Sequence, residues 1–498
     1  MNLDNSIFSC VKKSKIIVFI SILGLSGCGS DSDGNGYVKF YNASVNAPEV
    51  FLTIDENIGD DDEDDFETTY SSVEYGKATS DKEVSDGNYY YELAWQDEDS
   101  KKRDDLEIIS EGIVYVKKDA IQLIVLSEDI EQPEVEIYDI EVIDDEDDVD
   151  DDLFNLRVLN LHPDSEGTDI YISKSDETFN EAELFGGYSN KELSENKKFD
   201  QDDYIFYITK SGSDEVLFQS EDINYSYPSQ YVMVIRKNFG SGSSPYILDL
   251  VTSSNTTEYI DFNAEAKFQV YNGITEHELL ESYKSVFDLF VGNNAEIPDI
   301  SSVQIGEYSD SLTLPKGDYG INLTVANSDV AILRSHLLTL PENSNKTVFF
   351  YLKEDDVDHD GDGDVDEDGD GIVDEIEITI NSLVVENSNR ASIYDHSIRM
   401  VNLVDSEDFT SVQFFFVRSD ETVETALNKS TVQYTESTSI YLLNNTYQVF
   451  VVAKQNSSDI VLSNFELILD EQSKEQFFVL EADMDSPTGY KVSTSNQN

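Results

Sequence analysis

Residues 354–377 hold fourteen Asp or Glu among twenty-four, with four glycines and no Lys or Arg. Carboxylates this dense, without basic partners, suit a hard divalent cation, and the spacing narrows the choice. Asp366, Asp368 and Asp370 stand at alternate positions, Gly371 permits a sharp bend and Ile372 offers a main-chain carbonyl. Asp374 follows, and Glu377 closes the stretch with a carboxylate able to bind through both oxygens. Calcium takes about six to eight oxygens, and donors in this register around one glycine wrap a short loop about a single ion. Calcium is therefore the predicted cofactor. Just upstream, Asp358, Asp360, Asp362 and Asp364 repeat the first half of the pattern, but Gly369 stands where a closing glutamate belongs. That half could hold a second, weaker ion by sharing Asp364 or Asp366. His359 is read as a bystander, since calcium prefers oxygen. The alternative for the whole segment is a disordered acidic linker, which has no need of glycine and aspartate in fixed register.

The stretch 366–377 resembles the EF-hand calcium loop at every ligand position, and the tandem aspartates before it resemble thrombospondin type 3 repeats. Its flanks read as strands, at 348–352 and 376–385, and not as the two helices of a true EF-hand. A Met-lined opening switch is not expected; cation binding should instead rigidify a self-repelling loop.

A second chemical feature lies near the N-terminus. Lys12, Lys13 and Lys15 precede an apolar run, 16–25, too short to span a bilayer and suited to the core of an export signal. Leu25, Ser26 and Gly27 then lead into Cys28, which resembles the bacterial lipobox. That resemblance implies cleavage before Cys28, loss of residues 1–27, a diacylglycerol on the Cys28 thiol and a short tether, 28–36. The alternative is an ordinary secretory signal or short anchor with a chance cysteine. Gly29 rather than aspartate after the cysteine resembles Gram-negative lipoproteins sorted to the outer membrane, facing either the periplasm or the outside.

Composition agrees with an exported chain that does not bind nucleic acid. The formal charge is −71, with no stripe among the 32 Lys and Arg that could follow phosphates. Cys10 lies inside the leader, so the mature chain keeps Cys28 alone and each domain must be held by hydrophobic packing. Several domains of roughly 100–150 residues are expected.

A phrase ending in asparagine occurs four times, at Asn42, Asn160, Asn272 and Asn402, with spacings of 118, 112 and 130 residues. Each copy continues with a second landmark, Tyr75-Gly76, Tyr188-Ser189, Tyr308-Ser309 or Tyr434-Thr435, and then a turn and a further tyrosine, Tyr89, Tyr204, Tyr319 or Tyr447. Three landmarks in one order mark an internal repeat. Each last tyrosine opens a period-two stretch, as in Tyr204, Phe206 and Ile208, the pattern of a half-buried strand. Helical patterns are nearly absent, 276–290 being the best candidate. The chain is predicted to be all-β, with four tandem immunoglobulin-like β-sandwich domains. Their expected bounds are 37–143, 154–252, 266–385 with the calcium loop inserted at 354–377, and 397–494. The repeated tyrosines are read as core or corner residues.

In the first two copies, Asn42-Ala43-Ser44 with Pro48, and Arg157-Val158-Leu159-Asn160 with Pro163-Asp164, resemble a bacterial exported domain of unknown function with the signature R-V-V-N-A-S-P-D-x-P-x-V-D-V-Y. The third and fourth copies lack the proline. The resemblance implies a β-sandwich of surface or envelope proteins and supplies no catalytic residues.

No enzymatic pattern stands out. His277-Glu278 lacks the second histidine of a zinc protease, and Ser241-Gly242-Ser243-Ser244 lacks the flanks of a hydrolase elbow. The expected function is that of a non-catalytic lipoprotein in adhesion, surface scaffolding or binding of an extracellular polymer, with envelope proteins or polysaccharide as partners. The rival is a polymer-degrading enzyme, or its substrate-binding subunit, with aromatics and two carboxylates in one concave pocket.

Overall fold

A computed structural model describes residues 34–56, 66–97, 100, 103–143, 152–163, 167–292, 297–358, 365, 366, 373 and 375–496. Cys28 and the rest of the leader and tether before residue 34 lie outside the described residues. Two compact units account for the rest: one holds the strands from Asn35–Asn42 to Glu134–Glu141, the other those from Leu153–Asn160 onward.

The chain folds as four tandem β-sandwiches, each of two sheets. Counting strands from the start of each copy, one sheet runs 4-1-7-8 and the other 3-2-5-6; strand 4 is split into two short pieces in the first two copies, and strand 6 in the second. All pairings are antiparallel except strands 1 and 7, which run parallel, as in Ala266–Gly273 beside Asn345–Asp356. The second sandwich carries an extra strand, Thr256–Tyr259, beyond strand 8.

Alternation builds each core. Tyr204, Phe206 and Ile208 point inward with Phe154, Leu156 and Val158 of the facing sheet; Tyr447, Val449 and Val451 do the same with Met400, Phe478 and Leu480. In the last three copies the final tyrosine is a corner residue: the hydroxyls of Tyr204, Tyr319 and Tyr447 donate to the carbonyl four residues upstream at 2.9, 2.6 and 3.0 Å.

The repeated asparagines are the clasps of the fold. All four are fully buried. Each side-chain oxygen accepts the N–H two residues on, from Ser44, His162, Ile274 and Val404, closing an Asx turn that ends strand 1. In three copies the amide nitrogen reaches the second sheet or its flank, donating to the carbonyls of Val73, Tyr188 and Val303. Each asparagine carbonyl accepts from a residue with positive φ: Gly76, Lys191, Gly306 and Thr435. Three residues after that position, Thr79, Ser194 and Ser309 place hydroxyls that accept the N–H of Phe40, Val158 and Val270. The structural register thus differs from the tyrosine register of the sequence: Tyr188-Ser189 is displaced, and Ser194 is the true counterpart of Ser309. The left-handed position is filled by Gly, Lys, Gly and Thr, so no residue type announces it.

The helical candidate 276–290 forms a 3-10 turn, Glu278–Leu280, followed by the strand Val286–Val291. Tyr283 decides this. It is fully buried and its hydroxyl donates to the Asn272 side chain at 3.0 Å, drawing the chain back to the clasp.

In the second unit the third and fourth sandwiches share a further core. Residues on the outer faces of strands 1 and 7, Tyr271 and Phe349 in the third and Val401, Phe477 and Val479 in the fourth, pack together, with Phe349 and Phe477 at 5.4 Å between ring centroids. Tyr308 lies 4.7 Å from Tyr271 and 6.3 Å from Phe477. Strand 7 in both copies is therefore buried on both faces, which explains continuous apolar runs such as 477–480. The second sandwich meets the third through 239–244. Asn343, at φ 56°, accepts from the Gly242 N–H at 2.8 Å and exchanges amide hydrogen bonds with Asn238 at 3.0 and 3.1 Å.

Candidate metal centre

The acidic segment sits at the tip of the last hairpin of the third sandwich. Strands Asn345–Asp356 and Ile376–Glu386 pair antiparallel to their ends, with Asp356 opposite Ile376 and Asp355 opposite Glu377. The Val357 N–H adds one more bond to the Glu375 carbonyl at 3.0 Å. Residues 358–374 connect these two strands, and the ladder brings the strand ends within one strand spacing of each other. Long apolar alternation on either side, with Val348, Phe350, Leu352 and Ile380 packed in the core, anchors it.

Of the residues expected to bind calcium, Asp358 and Asp366 are half-buried and Glu377 is exposed. Asp360, Asp362, Asp364, Asp368, Asp370, Ile372 and Asp374 lie outside the described residues. Among the described residues no group of three or more His, Cys, Asp or Glu converges as a metal cage. Glu377 differs from its counterpart in a helix-flanked loop in standing inside a β-ladder, where its side chain shares a face with that of Asp355. Asp355 in turn pairs with Lys353, two residues back on the same face.

The base of the hairpin borders a cleft of 690 Å³ between the third and fourth sandwiches. Glu354, Asp355 and Asp356 line one wall, Asp405, Glu407 and Glu481 belong to the other sandwich, and Lys353 and Lys491 are the basic residues there. Burial pushes the Glu481 carboxyl above the usual glutamate range, and burial together with Asp405 pushes the Tyr434 hydroxyl up. Sequence reasoning missed this cleft because its walls come from strands far apart in the chain, none carrying a motif.

The residues singled out for other chemistry have structural roles. His277 caps the 3-10 turn, its Nδ1 accepting from the Leu279 N–H at 3.1 Å, so the ring proton is on Nε2, 3.6 Å from Glu354. His336 meets the Ser382 hydroxyl at 2.6 Å, and burial lowers its pKa. His396 meets Asn444 at 2.7 Å, and His162 packs against Tyr246. The 241–244 loop is the docking loop against Asn343.

No family model and no curated protein matches the chain. Among solved structures, the Bacillus anthracis TIE protein aligns over 91% of this chain and 75% of its own at 10% identity, with a TM-score of 0.14. The tip fimbrial protein Mfa3 from Porphyromonas gingivalis aligns over 46% of this chain and 99% of its own at 10% identity and a TM-score of 0.18. BcpA, the major pilin subunit of Bacillus cereus, aligns over 66% and 99% at 9% identity and a TM-score of 0.14. These likenesses carry no functional argument, and the functional reading rests on the chain's own residues.

Proposed function

We infer that this chain is a non-catalytic lipoprotein of the outer envelope, anchored through Cys28, that presents four sandwiches and a calcium-binding hairpin for adhesion, surface scaffolding or polymer binding. The observation that carries the calcium part is the coincidence of two registers. The Asp and Gly spacing ends at Glu377, and Glu377 stands where the hairpin ladder closes opposite Asp355. A ladder that joins the two ends of the segment leaves a shorter stretch to order when the ion arrives, which lowers the cost of binding. The repulsion among its acids is relieved only by cations.

The anchor rests on the order of lysines, apolar core and Leu25-Ser26-Gly27-Cys28. Labelled palmitate should enter the wild-type chain and be lost in Cys28→Ser; unchanged labelling would leave a plain secreted protein. The rival polymer-degrading reading asks for several aromatics around paired carboxylates. Among the described residues, the cleft beside the hairpin sets these carboxylates with one aromatic, Tyr434, on its walls.

A further inference from the structure

Glu481 is a carboxylate buried in a joint between two sandwiches. It lies on the strand Gln476–Ala482, on the same outward face as Phe477 and Val479, whose side chains fill the core shared with the third sandwich. It is 8% exposed, and Ser493 donates to its Oε2 at 2.8 Å. The buried Tyr271 hydroxyl of the third sandwich lies beside Glu481 and Ser493, and the buried Tyr308 hydroxyl lies beside Ser495. At the other end of the same face Glu475 is held differently, by Arg399 at 2.6 Å and by the Ser388 N–H at 2.8 Å.

No cation meets Glu481 within ion-pair distance among the described residues. Lys491, opposite it in the ladder, is 3.8 Å from Asp483. The other charged groups facing it across the cleft are Lys353, Glu354, Asp355 and Asp356 from the third sandwich and Asp405 and Glu407 from the fourth, a strongly negative surround. Ionising Glu481 therefore places a charge answered only by hydroxyls, those of Ser493 and Tyr271, in an apolar joint bordered by like charge.

We propose that Glu481 makes the joint between the third and fourth sandwiches proton-linked: protonated, it lies neutral in the apolar joint and the joint is tight; ionised, it loosens the edge that opens on the cleft. The neutral acid removes the buried charge, while its carbonyl oxygen keeps the Ser493 bond. The sign follows from linkage. Burial raises the carboxyl's affinity for its proton in the folded state, so the folded state binds the proton more tightly than the unfolded chain, and stability is gained as the pH falls through the raised value.

The test is thermal unfolding of the full mature chain against pH, for wild type, Glu481→Gln and, as a control on the same strand, Glu475→Gln. The glutamine at 481 imitates the neutral acid. It should raise the transition of the third and fourth sandwiches by roughly 2–4 °C near neutral pH. It should also flatten the rise that wild type shows as the pH falls toward the ordinary glutamate range. Glu475→Gln should lower the transition, since it breaks an ion pair. A Glu481→Gln curve parallel to wild type would overturn the proposal. Should that variant misfold, titration of the Glu481 carboxyl in wild type by carbon NMR decides: a midpoint at or below the ordinary glutamate value overturns the proposal, and a raised midpoint, higher still in Tyr271→Phe, which removes a donor to the carboxylate, supports it.

Discussion

The Gly306 N–H donates to the Asn272 carbonyl at 2.7 Å, and Gly306 does so from a φ of 76°. That bond closes one side of a clasp whose other arms are the Asn272 side chain's bonds to Ile274, Tyr283, Ser285 and Val303. The amide's donors and acceptor are all used, and they join both sheets of one sandwich. In the fourth copy the Asn402 side chain accepts from Val404, but its amide nitrogen has no partner among the described residues.

Asn272→Ala should therefore cost more than Asn402→Ala. Removing Asn272 orphans several buried groups at about 1–3 kcal/mol each, partly relieved by relaxation, for a loss of roughly 2–4 kcal/mol. The fourth copy should lose about 1–2 kcal/mol. Hydrogen exchange at the Ile274 and Val404 amides reads each loss locally. Equal losses would show that the inter-sheet arms contribute nothing.

The shared core predicts coupled unfolding of the third and fourth sandwiches. Phe349 and Phe477 are fully buried against each other, and truncating either to alanine should cost about 3–5 kcal/mol. Calorimetry of the full chain should show one transition for the pair in wild type and two in Phe349→Ala. A single unchanged transition in the variant contradicts the coupling.

At the joint between the second and third sandwiches, a Cβ on Gly242 would fall 2.6 Å from the Cβ of Ala264, which is buried and cannot rotate away. Gly242→Ala should displace the loop and break its bond to Asn343, while leaving the core of the second sandwich intact. Faster proteolysis within 239–244, with unchanged exchange protection in the strand Asp203–Lys210, is the expected outcome.

Much of the fold could be read in the residues, and particular ones show why. Tyr204, Phe206 and Ile208 alternate because one face meets the core, so period two was a direct record of burial. Tyr319 and Tyr447 follow tight turns, and their hydroxyls could be expected to reach back to the backbone. The clasp register was hidden because a left-handed residue can be Gly76 or Lys191 alike when a strong carbonyl bond holds it. The shared core was hidden because Phe349 and Phe350 read as one buried strand, without saying that the two faces meet different partners. Glu481 carries no motif at all; its importance comes from where strand 7 of the fourth copy lands.

The acidic hairpin tests the functional account most directly. Calcium titrated by calorimetry into the full mature chain should bind at 366–377 with a Kd of about 10⁻⁴ to 10⁻³ M, the range of extracellular modules. At millimolar calcium it should stabilise the third sandwich by roughly 1–2 kcal/mol. Glu377→Gln, which removes the bidentate closing ligand, should weaken binding more than Asp358→Asn in the incomplete upstream half. Absence of calcium-dependent heat, or equal losses in the two variants, would reduce the segment to a charged linker and contradict the account.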